Sequence, residues 1–153
     1  MQQTRPPVFI RTHFDACTGC QLCQAACSLH VFGGYNPRRS MLTIRRMWEN
    51  MAHIPVVCAQ CADPMCLRAC PVKAISRDEV TGVVAIDREK CISCGLCGRY
   101  CPLGMIHLDA ESGKAFKCDL CDGSPGCVRA CPTGALEMLE SARIPTSAGE
   151  GQS

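Results

Sequence analysis

Aromatic residues are scarce in this chain: four phenylalanines, two tyrosines and one tryptophan among 153 positions. Aromatic side chains usually dominate the buried surface of a small core, so something other than side-chain burial is expected to fill much of the interior. Long apolar runs are missing too. None approaches the roughly 18 residues of a membrane span, which argues against a direct membrane anchor. The opening Met1-Gln-Gln-Thr-Arg-Pro-Pro-Val-Phe-Ile lacks the apolar stretch of a secretory leader. The expectation is therefore a cytoplasmic chain, where thiols stay reduced and disulfides are rare; export bound to a partner that carries the leader stays open. A formal charge of only +2 gives no case for nucleic-acid binding.

Cysteine is what the chain has in excess. It has 16, a density that signals a disulfide scaffold or a metal protein. They fall into four groups. Cys17, Cys20, Cys23 and Cys27 are spaced C-x2-C-x2-C-x3-C. Cys58, Cys61, Cys66 and Cys70 follow as C-x2-C-x4-C-x3-C, then Pro71. Cys91, Cys94, Cys97 and Cys101 repeat the first spacing and end in Pro102. Cys118, Cys121, Cys127 and Cys131 run C-x2-C-x5-C-x3-C and end in Pro132. No cysteine is left over.

That spacing has a physical meaning. Three cysteines two residues apart wrap a loop around one iron–sulfur cube, so three thiolates reach three of its irons. The fourth follows on a short helical turn facing away from that cube. In two-cluster bacterial ferredoxins it ligates the other cluster, and C-x2-C-x2-C-x3-C-P is their signature. The third group matches this run in full. The second and fourth carry two and three extra residues before the third cysteine. The first has Ser28 in place of proline, so its helix is predicted to run on through Leu29, His30 and Val31. Structural zinc needs only four ligands, usually two pairs set apart by a longer spacer, and fits four packed quartets poorly. A disulfide framework fits poorly without a leader. Four [4Fe–4S] clusters are the expectation. At about −2 for each oxidised cubane, they would carry the net charge to roughly −6.

Between the groups, apolar alternation predicts a strand over Val8–His13 and another over Met41–Trp48, with Ile54–Val57 as a short extended lead into the second group. Gly33-Gly-Tyr-Asn-Pro37 reads as a turn. Hairpins are predicted from Ala74 to Ile86, around Asp78–Gly82, and from Met105 to Phe116, around Asp109–Gly113. A last strand covers Ala135–Leu139. The tail, residues 141–153, is small and polar and is expected to be flexible or to dock on a partner. Strand, cysteine loop, short helix and hairpin, repeated, is the ferredoxin arrangement. The fold class is therefore α+β: two intertwined ferredoxin-like units. Residues 58–109 form the inserted unit, with the second and third cysteine groups. Residues 1–57 together with 110–140 form the outer unit, with the first and fourth.

Two stretches, Cys58-Ala-Gln-Cys-Ala-Asp-Pro-Met-Cys66-Leu-Arg-Ala-Cys70-Pro-Val-Lys-Ala and Lys117-Cys-Asp-Leu-Cys121 through Cys127-Val-Arg-Ala-Cys-Pro-Thr-Gly-Ala135, carry a family likeness. The chain resembles the four-cluster ferredoxin-like electron-transfer subunits of multi-subunit oxidoreductases, from about Val8 to Leu139. Members serve molybdenum and tungsten pterin enzymes, and some hydrogenases and carbon monoxide dehydrogenases. Cys27-Ser-Leu-His30 and Asn36-Pro-Arg-Arg-Ser40 look most like the small iron–sulfur subunit of tungsten-dependent aldehyde oxidoreductases. The resemblance implies swapped fourth ligands. One cluster would take Cys17, Cys20, Cys23 and Cys131, and its companion Cys118, Cys121, Cys127 and Cys27. A third would take Cys58, Cys61, Cys66 and Cys101, and the last Cys91, Cys94, Cys97 and Cys70. It also implies a catalytic oxidoreductase partner and no catalytic residue in this chain; a further redox subunit, or more copies of the chain, stay open.

The remaining candidates are weaker. His13, His30, His53 and His107 are scattered and read as surface or packing residues. The methionines are expected to fill gaps around clusters. Trp48 is expected to be packed or at an interface. Arg38, Arg39, Arg45 and Arg46 are either solvated or face an acidic partner. Gly19 and Gly95 serve either the loop turns or an approach of backbone N–H groups to sulfur.

Overall fold

The computed structural model describes residues 8–140. In chain order they form β1 (Val8–Thr12), α1 (Leu22–Phe32), β2 (Thr43–Met47), β3 (Ala52–Val56), α2 (Met65–Ala69) and β4 (Ile75–Arg77). Then come β5 (Val84–Ile86), α3 (Leu96–Tyr100), β6 (His107–Leu108), β7 (Ala115–Phe116), α4 (Gly126–Ala130) and β8 (Leu136–Glu140). The strands pair two by two into antiparallel ribbons: β1 with β8, β2 with β3, β4 with β5, and β6 with β7. This is a small ferredoxin-like fold of short helices and small antiparallel sheets. A lone two-stranded ribbon is marginal in water, so none of these ribbons stands without the loops packed against it.

Strand β1 meets β8 in register from Val8 opposite Glu140 to Thr12 opposite Leu136. The His13 N–H extends this pairing to the Ala135 carbonyl at 2.8 Å. Helix α1 packs on α4, and α2 packs on α3. The buried side chains divide the same way. One core joins Val8, Ile10, Met41, Leu42, Leu120 and Leu136 with Cys23, Cys27 and Cys127. The second gathers Ile75, Val84, Cys97 and Ala115. Cysteine sulfur thus occupies positions that aromatic rings would fill elsewhere.

Proline sets the helix lengths. The residue before a proline is pushed out of the helical region into extended backbone. Cys70 (φ −80°, ψ 111°), Cys101 (−78°, 114°) and Cys131 (−77°, 111°) all take that conformation, and α2, α3 and α4 stop after five residues each. The fourth cysteine of these groups therefore sits one residue beyond its helix rather than on it. Ser28 imposes no such stop. It is fully buried, donates to the Ala25 carbonyl at 2.9 Å and accepts from the Asn36 N–H at 3.0 Å. Helix α1 continues for 11 residues to a left-handed cap at Gly33, and Cys27 lies in its interior.

Two expectations need correction. Ile54–Val57 is not a lone lead: β3 is the return strand of a hairpin with β2. Trp48, Glu49 and Asn50 turn the chain there with left-handed φ of 48°, 53° and 74°, a turn made without glycine or proline. Trp48 stands 66 % exposed at that turn, which leaves the interface alternative of its two readings. Of the methionines, Met41 and Met105 are buried as expected, but Met47, Met51 and Met65 are exposed. Among the described residues no helix is long and apolar enough to cross a membrane. The expectations for the opening segment and the tail concern residues outside the described ones.

Candidate metal centres

Each C-x2-C loop bends at the same place. The residue just before the second cysteine is left-handed in all four: Gly19 (φ 73°), Gln60 (47°), Ser93 (60°) and Leu120 (60°). In three loops the left-handed backbone recurs after that cysteine, at Gln21, Gly95 and Asp122. Backbone turned this way gathers successive N–H groups into a concavity suited to anions, including iron–sulfur clusters. A non-glycine residue held there stores on the order of 1–3 kcal/mol and persists only where its surroundings fix it. Leu120 is fixed by complete burial. Gln60 is fixed by its side chain, which donates to the Cys118 carbonyl at 2.8 Å and accepts from the Val84 N–H at 2.9 Å. At Gly19 a Cβ would lie 2.3 Å from His53 Cδ2, so this glycine serves both turn and packing, and His53 is its packing partner.

The cysteines gather across groups. Cys17, Cys20 and Cys23 line one small cavity together with Cys131. Cys91, Cys94 and Cys97 line another with Cys70. Cys58, Cys61 and Cys66 line a third with Cys101. Cys27, Cys121 and Cys23 are close enough to Cys127 to oppose its ionisation, and Cys58 and Cys127 do the same to Cys118. None of the sixteen forms a disulfide. Among the described residues no three histidines, cysteines or acids converge as they would on a single ion. A large cleft, about 990 Å³, lies elsewhere; it is bordered by Arg39, Arg88, Glu89, Asp109 and Lys114 and by no cysteine. Arg39 is neither free nor fully solvated there: it pairs with Asp109 at 2.6 Å and lies 4.1 Å over the Phe32 ring.

Burial governs the thiols. It pushes Cys23 up to about 11 and Cys127 up to about 12. Cys118, Cys27, Cys66, Cys97 and Cys121 are raised mainly for the same reason. Cys131 is the exception: burial opposes ionisation there too, but the Thr133 hydroxyl and the backbone N–H groups of Thr133, Ala135 and Leu136 outweigh it and lower the value. Buried thiols hold their protons in water, so loading with iron must displace them.

Each fourth cysteine accepts a backbone N–H bond at sulfur. Ala74 donates to Cys70 at 3.3 Å, Met105 to Cys101 at 3.4 Å and Ala135 to Cys131 at 3.2 Å, all from four residues ahead. Lys73, Gly104 and Gly134 make those turns with positive φ. Cys27 accepts from the Met41 N–H at 3.2 Å. Such donors stabilise electron-rich sulfur and tune reduction potential. Cavities walled by cysteines, left-handed N–H loops and donors aimed at sulfur all fit an anionic iron–sulfur cluster, which supplies one-electron chemistry when bound. The shared Cys-Pro-x-x-Ala/Met pattern was a sequence signal for these bonds. No pattern marked Gln60 or Lys117, the two buried polar residues that join the second and fourth groups.

The residue pattern also matches known proteins. Residues 49–141 match the 4Fe-4S dicluster domain, and residues 14–35 match a 4Fe-4S binding domain. The chain is 38% identical over 139 residues to the aliphatic sulfonate oxidoreductase, polyferredoxin-like subunit of Pyrococcus furiosus, covering 91% of this chain and 80% of that one. It is 39% identical over 136 residues to the NADH-dependent phenylglyoxylate dehydrogenase subunit beta of Aromatoleum evansii, covering 88% of this chain but only 30% of that one. A chain of the active site complex BamBC of benzoyl coenzyme A reductase has a similar fold, with a TM-score of 0.53 at 26% identity over 89% of this chain and 80% of that one. The chain thus belongs to the 4Fe-4S dicluster domain family of ferredoxin-like iron–sulfur proteins, homologous to the polyferredoxin-like subunits of oxidoreductases, and carries multiple [4Fe–4S] clusters.

Proposed function

We propose that this chain relays electrons through four [4Fe–4S] clusters to or from a catalytic partner, a tungsten-pterin aldehyde oxidoreductase. The observation that carries the relay is the grouping of thiols into cavities, three consecutive cysteines with one from a distant group. The ligand sets are Cys17, Cys20, Cys23 and Cys131; Cys118, Cys121, Cys127 and Cys27; Cys58, Cys61, Cys66 and Cys101; and Cys91, Cys94, Cys97 and Cys70. Sixteen thiolates for sixteen irons leave no open iron for substrate, so the chain does no bond chemistry of its own. A chain whose cysteines all serve as iron ligands and form no disulfide suits the cytoplasm.

The architecture we infer is two intertwined ferredoxin-like units, 58–109 inserted between 1–57 and 110–140. It is supported by the β1–β8 pairing, by the α1–α4 and α2–α3 packing and by the two separate cores. The β6–β7 hairpin carries the chain across the boundary near residue 109.

The test is metal analysis of the native complex, isolated without oxygen from its source cells. About sixteen irons per chain with tungsten in the partner is the expected result. Molybdenum in place of tungsten moves the partner to another pterin enzyme, and nickel with neither moves it to a hydrogenase or carbon monoxide dehydrogenase. Zinc in place of iron overturns the relay itself.

A further inference from the structure

Lys117 is buried, with 8 % of its surface exposed, yet among the described residues no carboxylate pairs with it. Its ammonium donates to the Val84 and Cys118 carbonyls, both neutral. A buried charge is unfavourable unless an opposite charge answers it, and two carbonyl dipoles answer only part of it. The other well-placed lysines behave differently: Lys90 pairs with Asp87 at 3.1 Å and Lys114 reaches the Arg88 carbonyl, both in exposed settings.

Its position is fixed. Gln60 binds the same two residues, donating to the Cys118 carbonyl and accepting from the Val84 N–H, so Lys117 and Gln60 clamp Val84 and Cys118 from two sides. Lys117 borders the cavity walled by Cys58, Cys61, Cys66 and Cys101, and it precedes Cys118 in the chain. Its ammonium thus lies between that cavity and the backbone of Cys118, whose carbonyl it reaches at 3.0 Å.

We propose that Lys117 is a fixed counter-charge shared by two neighbouring clusters, the one on Cys58, Cys61, Cys66 and Cys101 and the one on Cys118, Cys121, Cys127 and Cys27. This rests on the ligand sets proposed above. Reduction adds one negative charge to a cluster, and in a poorly screened interior a cation held beside it favours that form. Lys117 therefore raises both reduction potentials. When one electron leaves one cluster and arrives at the other, the negative charge stays beside the same ammonium. Lys117 is a positioning residue for charge, not a ligand.

The experiment is a redox titration of the full chain followed by electron paramagnetic resonance, on wild type and on Lys117→Gln, Lys117→Met and Lys117→Arg. Signals are assigned to clusters by those that C101S and C27S alter. Lys117→Gln keeps a donor for the carbonyls without the charge. In both neutral variants the two flanking potentials are expected to fall together while the other two hold, and Lys117→Arg restores them. Loss of a flanking cluster from the neutral variants alone also supports the role. Potentials that all hold, that all four fall alike, or that fall equally in Lys117→Arg overturn it. Wild type must first yield about sixteen irons per chain; a shortfall there contradicts the ligand sets, whereas sixteen irons with unmoved potentials contradicts only the role of Lys117.

Discussion

The backbone N–H of Met41 reaches the sulfur of Cys27 across 14 residues of chain, at 3.2 Å. Cys70, Cys101 and Cys131 receive the equivalent bond from four residues ahead. Ser28 accounts for the difference, because α1 runs past Cys27 where proline stops the other helices, and a later segment has to supply the donor. Met41→Pro removes that N–H, while Met41→Leu keeps it with similar bulk. The expected result is a drop in one cluster potential on the order of 60 mV, a tenfold change for a one-electron couple, in Met41→Pro alone. Cys27→Ser should damage the same cluster, the one on Cys118, Cys121 and Cys127, and spare that on Cys17, Cys20 and Cys23. Redox titration followed by electron paramagnetic resonance reads both.

Gln60 joins the second cysteine loop to the fourth. Gln60→Leu leaves the Val84 N–H and the Cys118 carbonyl without their side-chain partner, at about 1–3 kcal/mol for each group left unmet; Lys117 still reaches the carbonyl, so the N–H bears most of the loss. Unfolding of such proteins is read as a rate. Bleaching of the cluster absorbance in guanidinium is expected to speed up at least tenfold, about 1.4 kcal/mol, while Val80→Ala, at a position 71 % exposed, leaves it unchanged.

Much of this was legible in the sequence. The four groups and the long first helix follow from cysteine spacing and from Ser28, and the hairpins at 74–86 and 105–116 from their turns at Asp78–Gly82 and Asp109–Gly113, because all of these signals act locally. The β2–β3 hairpin was missed because its turn uses Trp48, Glu49 and Asn50 in left-handed backbone, with no glycine or proline to announce it. Gln60 and Lys117 were missed because their partners, Val84 and Cys118, come from distant segments that only the fold brings together. Arg39 was read as part of a basic stretch, and its partner Asp109 lies 70 residues away.

Gly19 and His53 form another long-range pair. Gly19→Ala places a Cβ against the imidazole and forces alanine to φ 73°. The loss of stability should be about 1–3 kcal/mol. His53→Ala clears the space but not the backbone strain. The double variant is therefore expected to recover on the order of 1 kcal/mol relative to additivity, measured by the same bleaching assay. Strict additivity contradicts the contact.

Among the described residues His107 has its Nε2 buried without a partner, and burial lowers its pKa from 6.5. The folded chain therefore resists a proton that the unfolded chain accepts. The stability contribution is whole above about pH 6.5 and declines as pH falls from there through the lower folded value. Comparing wild type with His107→Phe across this range isolates the effect: the wild type is expected to lose more stability on acidification, and parallel curves contradict it.

The central claim is a four-cluster relay, and a reductive titration of the full chain without oxygen, with iron and sulfide counted on the same sample, tests it most directly. The account predicts about sixteen irons per chain and about four electrons taken up, one for each cluster. About eight irons and two electrons, or zinc with no electrons taken up at all, contradicts it.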